Sequence, residues 1–181
     1  MKRIFTIFSI VAASLLTISC TKGDGEADYG NQFVYIPQAT ASGGIDNIYN
    51  VPSGGGENTY NFSVAGDNVN VFLGVMVSGK AAVDAFTVNV ESDDAAAKAK
   101  ADELGAKVLP SSAFTLPSKV EVGQGKNGTT FNLSIQKSAI VSGEVFVTAV
   151  RISNPSKYQL SEKNTEVLVV IDCTSLLGLI K

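Results

Sequence analysis

Downstream of residue 31, apolar and polar residues alternate with a period of two. In "NTYNFSVAG", Tyr60, Phe62 and Val64 alternate with polar neighbours, as they do in a strand with one face buried. "NVNVFLGVMVSG" and "AFTVNVES" are rich in Val, Phe and Thr, which suit a pleated, half-buried surface. "SKVEVGQG", "TTFNLSIQKS", "GEVFVTAVRISN" and "NTEVLVVID" continue the series. "QFVYIPQA" is a further strand, and its Pro37 marks a strand end or a sheet edge. Short strands separated by Gly, Asn and Ser predict an all-β fold, an antiparallel β-sandwich. Long apolar stripes of period 3.6, which a helical fold would need, are missing.

One segment reads differently. "SDDAAAKAKADELGAK" predicts a short helical insertion over residues 93–104, with Ser92 as cap and Asp93 and Asp94 in the first turn. Asp94 and Lys98 form an i,i+4 pair, and Gly105 supplies a stop. The apolar face is mostly alanine and predicts weak packing on the sandwich or across one end of it.

Two patterns resemble sites that carry chemistry. Gly123, Gly125 and Gly128 match G-x-G-x-x-G, and "KVEV" precedes them as a strand. A dinucleotide site needs a helix next, whose N-terminus holds the pyrophosphate. "TTFNLSI" is strand-like instead, so the motif predicts a hairpin loop turning at Asn127-Gly128. Asp24, Glu26 and Asp28 sit at the first, third and fifth places of a calcium loop. Its sixth place would be Tyr29 where glycine is required, and its twelfth Tyr35 where glutamate is required. No metal and no cofactor is expected.

The N-terminus reads as an export signal. Lys2 and Arg3 precede an apolar stretch from Ile4 to Ile18, which as a helix would be about 22 Å long. That is short of a hydrocarbon core of about 30 Å, and a small residue and a break follow, as in a secretory leader. "LTISC" resembles the lipobox of bacterial lipoproteins, with Thr17 where an aliphatic residue is usual. The resemblance implies cleavage after Ser19 and a lipid anchor on Cys20. Residues 1–19 are then the leader, 20–31 a flexible tether and 32–181 the sandwich domain. Lys22, Asp24, Glu26 and Asp28 resemble the charged signal that sends Bacteroidetes lipoproteins to the outer face of the outer membrane.

Composition narrows the function. Without Lys2 and Arg3, the 14 basic residues fall to 12 against 17 acidic ones, a net charge of −5. Nucleic acid is not expected as a partner, since it needs a basic footprint. The chain has no histidine, which excludes Ser-His-Asp and Cys-His catalysis. Its two cysteines are too few for a four-cysteine zinc site. With Cys20 acylated, Cys173 has no disulfide partner and reads as a buried, inert thiol. Carboxylate-pair hydrolysis is not excluded by residue count, but a small domain would have to build a cleft as well as a core. The expectation is that the protein is not an enzyme.

"KVLPSSAFTLPSKVEVGQG", "TTFNLSIQKS" and "GEVFVTAVRISNPSKYQLSEKNTEVLVVID" carry a family resemblance. The matching features are Leu109-Pro110, Phe114 with Leu116, Val120, Val122 and Gly125, Tyr158 with Leu160, and "FVYIPQA" at the start. Over roughly residues 30–172 the chain resembles the domain of unknown function at the N-terminus of many Bacteroidetes surface lipoproteins. In some members that domain precedes a glycoside hydrolase family 18 module or a carbohydrate-binding module. The resemblance implies an immunoglobulin-like sandwich and a link to glycan handling, and it identifies no active residue. With no catalytic module after residue 172, hydrolase activity is not carried over.

The leading expectation is therefore a non-catalytic surface lipoprotein that captures glycan. Tyr49 is its candidate ring, in "GGIDNIYNVPSGGG", with Asp46, Asn47 and Asn50 as polar neighbours on a loop, although the favoured reading of Tyr49 is that it packs against the sandwich edge. The alternative is an adhesion, pilus-like or complex-assembly component that joins outer-membrane partners through an exposed strand edge. For that role "SLLGLIK" would be a further strand or a segment covered by a partner; the favoured reading is that it closes the protein's own core.

Overall fold

The computed structural model describes residues 31–41, 46–79 and 83–180. Cys20, Lys22, Asp24, Glu26 and Asp28 lie outside the described residues, as do the leader and nearly all of the tether. Asn31–Lys181 forms one compact unit.

Among the described residues, twelve strands build two sheets. The first contains β1 (Phe33–Tyr35), β3 (Phe62–Ala65), β4 (Asn68–Val77), β7 (Phe114–Thr115), β9 (Gly128–Gln136) and β11 (Gln159–Leu160). Its order is β11-β1-β4-β9-β7, with β3 also paired to β4. The second contains β2 (Ile48–Val51), β5 (Phe86–Ser92), β6 (Lys107–Val108), β8 (Lys119–Val122), β10 (Val145–Ser153) and β12 (Glu166–Asp172). Its order is β2-β12-β10-β5-β8, with β6 also paired to β10. The long pairs are antiparallel, as expected; three short ones, β1 with β11, β2 with β12 and β6 with β10, are parallel.

The two-residue period is what makes the sheets pack. On β4, Val69, Val71, Leu73 and Val75 are fully buried, while the residues between them face the other side. They meet Val88, Val122, Val150, Val167 and Val169 of the second sheet in a single core. Each such side chain contributes about 1.5–3 kcal/mol when fully buried. The architecture is the all-β sandwich expected from the alternation.

Helix α1 (Asp94–Leu104) is the expected insertion, with two local corrections. Its N-cap is Asp93, whose Oδ1 accepts from the amides of Ala95 and Ala96, each at 3.0 Å. Ser92 cannot serve, because it still pairs with Val150 in β5. Lys98 pairs with Asp102 at 2.8 Å and not with Asp94; both side chains are exposed, so the bridge contributes little. Gly105 closes the helix at φ +62. Buried Ala97 packs with Ala149 and Leu168, so the alanine face covers the outer side of the second sheet.

One other expectation is overturned. The Gly123–Gly128 segment is not a hairpin loop: β8 pairs with β5, but β9 pairs with β4 and β7. It therefore carries the chain from one sheet to the other. The closing apolar segment, expected to close the protein's own core, does so as a helix and not as a strand. It forms α2 (Cys173–Leu179), capped by Asp172, whose Oδ1 accepts from the Ser175 amide at 3.0 Å. Leu176 and Cys173 are fully buried in the main core, so this segment covers the protein's own interior. Burial pushes the Cys173 thiol pKa up, which suits an inert thiol.

Candidate functional site

The residues expected around Tyr49 come together in the structure, but on a strand. Tyr49 belongs to β2 and lies opposite Val169 of β12. It is half-buried and packs against the core, and burial pushes its hydroxyl pKa up while the nearby Asn61 side chain acts in the other direction. Asp46 and Asn47 shape the entry to the strand. Asp46 Oδ1 accepts from the Ile48 amide at 3.2 Å. Asn47 takes φ +55, a conformation asparagine tolerates, and its carbonyl accepts from Leu168 N at 2.8 Å. Asn50 is exposed, and its carbonyl accepts from Asn61 Nδ2 at 2.8 Å. The loop reading failed because the polar letters of this stretch serve backbone turns, while the Tyr49 and Val51 side chains point inward.

Asn61 clamps the loop that follows. Its Oδ1 accepts from Ser53 N at 2.8 Å, and its own amide donates to Ser53 O at 3.0 Å. Its carbonyl accepts from Phe72 N at 3.0 Å, which ties the loop to β4. Tyr60 is 38% exposed and lies 5.4 Å from the Phe62 ring.

The open surface is elsewhere. The outer side of the second sheet carries α1 and an ionic cluster, in which Arg151 bridges Glu91 and Asp93 at 3.1 Å each. The outer side of the first sheet has no such cover among the described residues. Phe72 stands on it, 37% exposed, directly across from Asn132. Two places along the strand is Asn70, whose Oδ1 accepts from Ser134 Oγ at 2.7 Å. Ser63 flanks Asn70 from β3, and Thr130 faces Gly74 from β9. No Asp, Glu, Lys or Arg occurs anywhere in β3, β4 or β9. Around Phe72 this face thus offers an exposed ring in a field of amides and hydroxyls, with no charge, while a second, half-buried ring, Tyr35 of β1, stands further along it across from Met76. It can stack on an apolar face and donate or accept several neutral hydrogen bonds. Sequence reasoning passed over Phe72 because it sits inside an apolar run; its place between inward Val71 and Leu73 was the available signal.

Fold and surface together define an all-β sandwich domain with one outer face covered and the other open among the described residues. The model of a family described as a "-like, N-terminal domain" matches residues 29–159, most of the chain, and the chain belongs to that family. No curated protein matches it. Among solved structures, it is similar to a candidate carbohydrate-binding protein from Bacteroides ovatus, with a TM-score of 0.53 and 13% identity, over 77% of this chain and 36% of that one. It is also similar to a two-domain protein of unknown function from Bacteroides fragilis, with a TM-score of 0.53 and 15% identity, over 78% of this chain and 45% of that one. A further Bacteroides ovatus protein of unknown function gives a TM-score of 0.51 at 13% identity, over 77% of this chain and 46% of that one. The chain spans less than half the length of each of these relatives. At such identities the likeness is one of fold.

Proposed function

We propose that this domain is a non-catalytic glycan-binding module whose site is the open face around Phe72. The observation that carries this reading is an exposed ring flanked by Asn70, Asn132 and Thr130 on a face without charge. A pyranose presents an apolar C–H face to such a ring, and its hydroxyls take the amide and hydroxyl groups alongside. The similar Bacteroides ovatus protein, a candidate carbohydrate binder, lends support. The resemblance to domains that precede glycoside hydrolase family 18 or carbohydrate-binding modules suggests an accessory role in polysaccharide capture.

Partnering through a strand edge is less favoured. Of the four strands that end the sheets, β7 and β11 are two residues long, β8 presents exposed Lys119 and Glu121, and β2 is uncharged but only four residues long. Short and charged edges discourage pairing.

Affinity electrophoresis through neutral polysaccharides tests the reading. The expected result is retardation of the unaltered protein, abolished by Phe72→Ala and kept by Tyr49→Ala. Retardation lost with Tyr49→Ala and kept with Phe72→Ala would move the site to β2.

The domain is further proposed to be held by a lipid on Cys20 at the outer membrane, facing the cell exterior, with Lys22, Asp24, Glu26 and Asp28 as its address. The basis is the sequence alone. Replacing Asp24, Glu26 and Asp28 by alanine is expected to leave the lipoprotein made but shielded from protease added to intact cells. Continued cleavage of the variant would refute the address.

A further inference from the structure

β1 and β3 share one edge of β4 and leave a gap between them. β1 pairs through Met76 and Val77, and β3 through Asn68–Val71. In the gap, Gly74 N donates to Gln38 Oε1 at 3.0 Å, so a side chain stands in for the missing strand. On the outward side the strands carry little bulk here: Gly74 faces Thr130, and Met76 faces Gly128. The result is a pit of about 300 Å³ walled by Pro37, Gln38, Met76 and Thr130, among others. Close packing keeps both glycines small. A Cβ on Gly74 would lie 3.1 Å from Thr129 O, and one on Gly128 2.7 Å from Val75 O.

The geometry points to the pit as a subsite for one uncharged pyranose unit, next to the unit stacked on Phe72. This rests on the reading that the Phe72 face binds glycan. Pro37 and Met76 give an apolar wall. With Gln38 Oε1 engaged by Gly74, its Nε2 has two hydrogens to donate, and none finds an acceptor among the described residues. Thr130 adds an exposed hydroxyl. The volume is at the lower limit for small-molecule sites, enough for one ring and too little for a chain. Phe72 and Gly74 are successive outward positions on β4, about 7 Å apart. A glycan lying along β4 therefore stacks one unit on Phe72 and lowers its neighbour into the pit. With no ionised group on β3, β4 or β9 to pair a carboxylate or sulfate, the unit is neutral.

The test is a two-dimensional NMR titration of the ¹⁵N-labelled full chain. The probes are soluble neutral hexasaccharides of glucose, mannose and N-acetylglucosamine, with polygalacturonate as the acidic control. At least one neutral probe is expected to shift the Gln38 side-chain amide together with Gly74 and Thr130. Thr130→Leu, which fills the pit from an exposed position, should weaken that binding about tenfold, and the spectrum reports whether the variant is folded. If Thr130→Leu binds like the unaltered chain and the Gln38 signal stays still, while Phe72→Ala abolishes binding, the pit is refuted and the face stands. Stronger binding of polygalacturonate refutes the neutral subsite. No shift with any neutral probe sinks both subsite and face.

Discussion

Replacing Leu73 by alanine is expected to destabilise the domain by about 2–5 kcal/mol, the usual cost of emptying a packed core site. Leu73 is fully buried and lies directly across from Phe131 on the inward side of β4 and β9. Phe131 belongs to the same core, so little can collapse into the space a smaller residue leaves. The adjacent Phe72→Ala variant removes a larger side chain, yet should cost only about 1 kcal/mol, because that ring is 37% exposed. Urea unfolding followed by circular dichroism separates the two, since the chain has no tryptophan for fluorescence. The midpoint should fall steeply for Leu73→Ala and hardly move for Phe72→Ala, with similar slopes. Equal losses would mean that β4 is out of register by one residue, since a one-residue slip exchanges its faces. That slip would also bury the ring on which the glycan reading depends.

The same alternation explains which parts of the fold were legible in the sequence. Strands such as β4, β9 and β12 follow from it directly, because side-chain period is a local property. Strand partners are not local. Nothing in "KVEVGQGKNGTTFNLSI" says that β8 joins β5 while β9 joins β4, and a glycine-rich link reads equally as a hairpin or a crossing. β2 was hidden because Asp46 and Asn47, residues that mark turns, fold a tight entry right beside the strand. "SLLGLIK" was too short for a period to distinguish helix from strand. Its deciding signal was Asp172 with Ser175, an N-cap pair placed just after a strand. The helix at Asp94–Leu104 was legible because alanine content, a capping aspartate and Gly105 all agree. The aromatic-plus-amide combination sought in the sequence at Tyr49 occurs in the fold around Phe72 as well. Exposure of Phe72 depends on what fails to cover the first sheet, which only the assembled fold shows.

The glycine loop beside β3 gives the second large effect, and it bears on the same face. Gly54 and Gly56 both have positive φ, at +93 and +66, but their surroundings differ. A Cβ on Gly56 would meet nothing within 4 Å. Gly56→Ala should therefore cost only about 1–2 kcal/mol, the penalty for placing an L side chain in the left-handed region. A Cβ on Gly54 would run into the Thr59 carbonyl, which is backbone and cannot swing away. Gly54→Ala must pay the conformational penalty and also move the chain at Thr59, for a total of roughly 3 kcal/mol or more. The displaced segment leads straight into Asn61, which holds Ser53, Asn50 and Phe72 N by four hydrogen bonds. Loosening Asn61 frees the edge of β4 at Phe72. Gly54→Ala should thus speed amide exchange at Phe72 and weaken retention by neutral polysaccharide, while Gly56→Ala changes neither. If both variants melt at the same temperature and exchange alike at Phe72, the contact at Thr59 does not hold the loop, and Asn61 does not couple that loop to the open face.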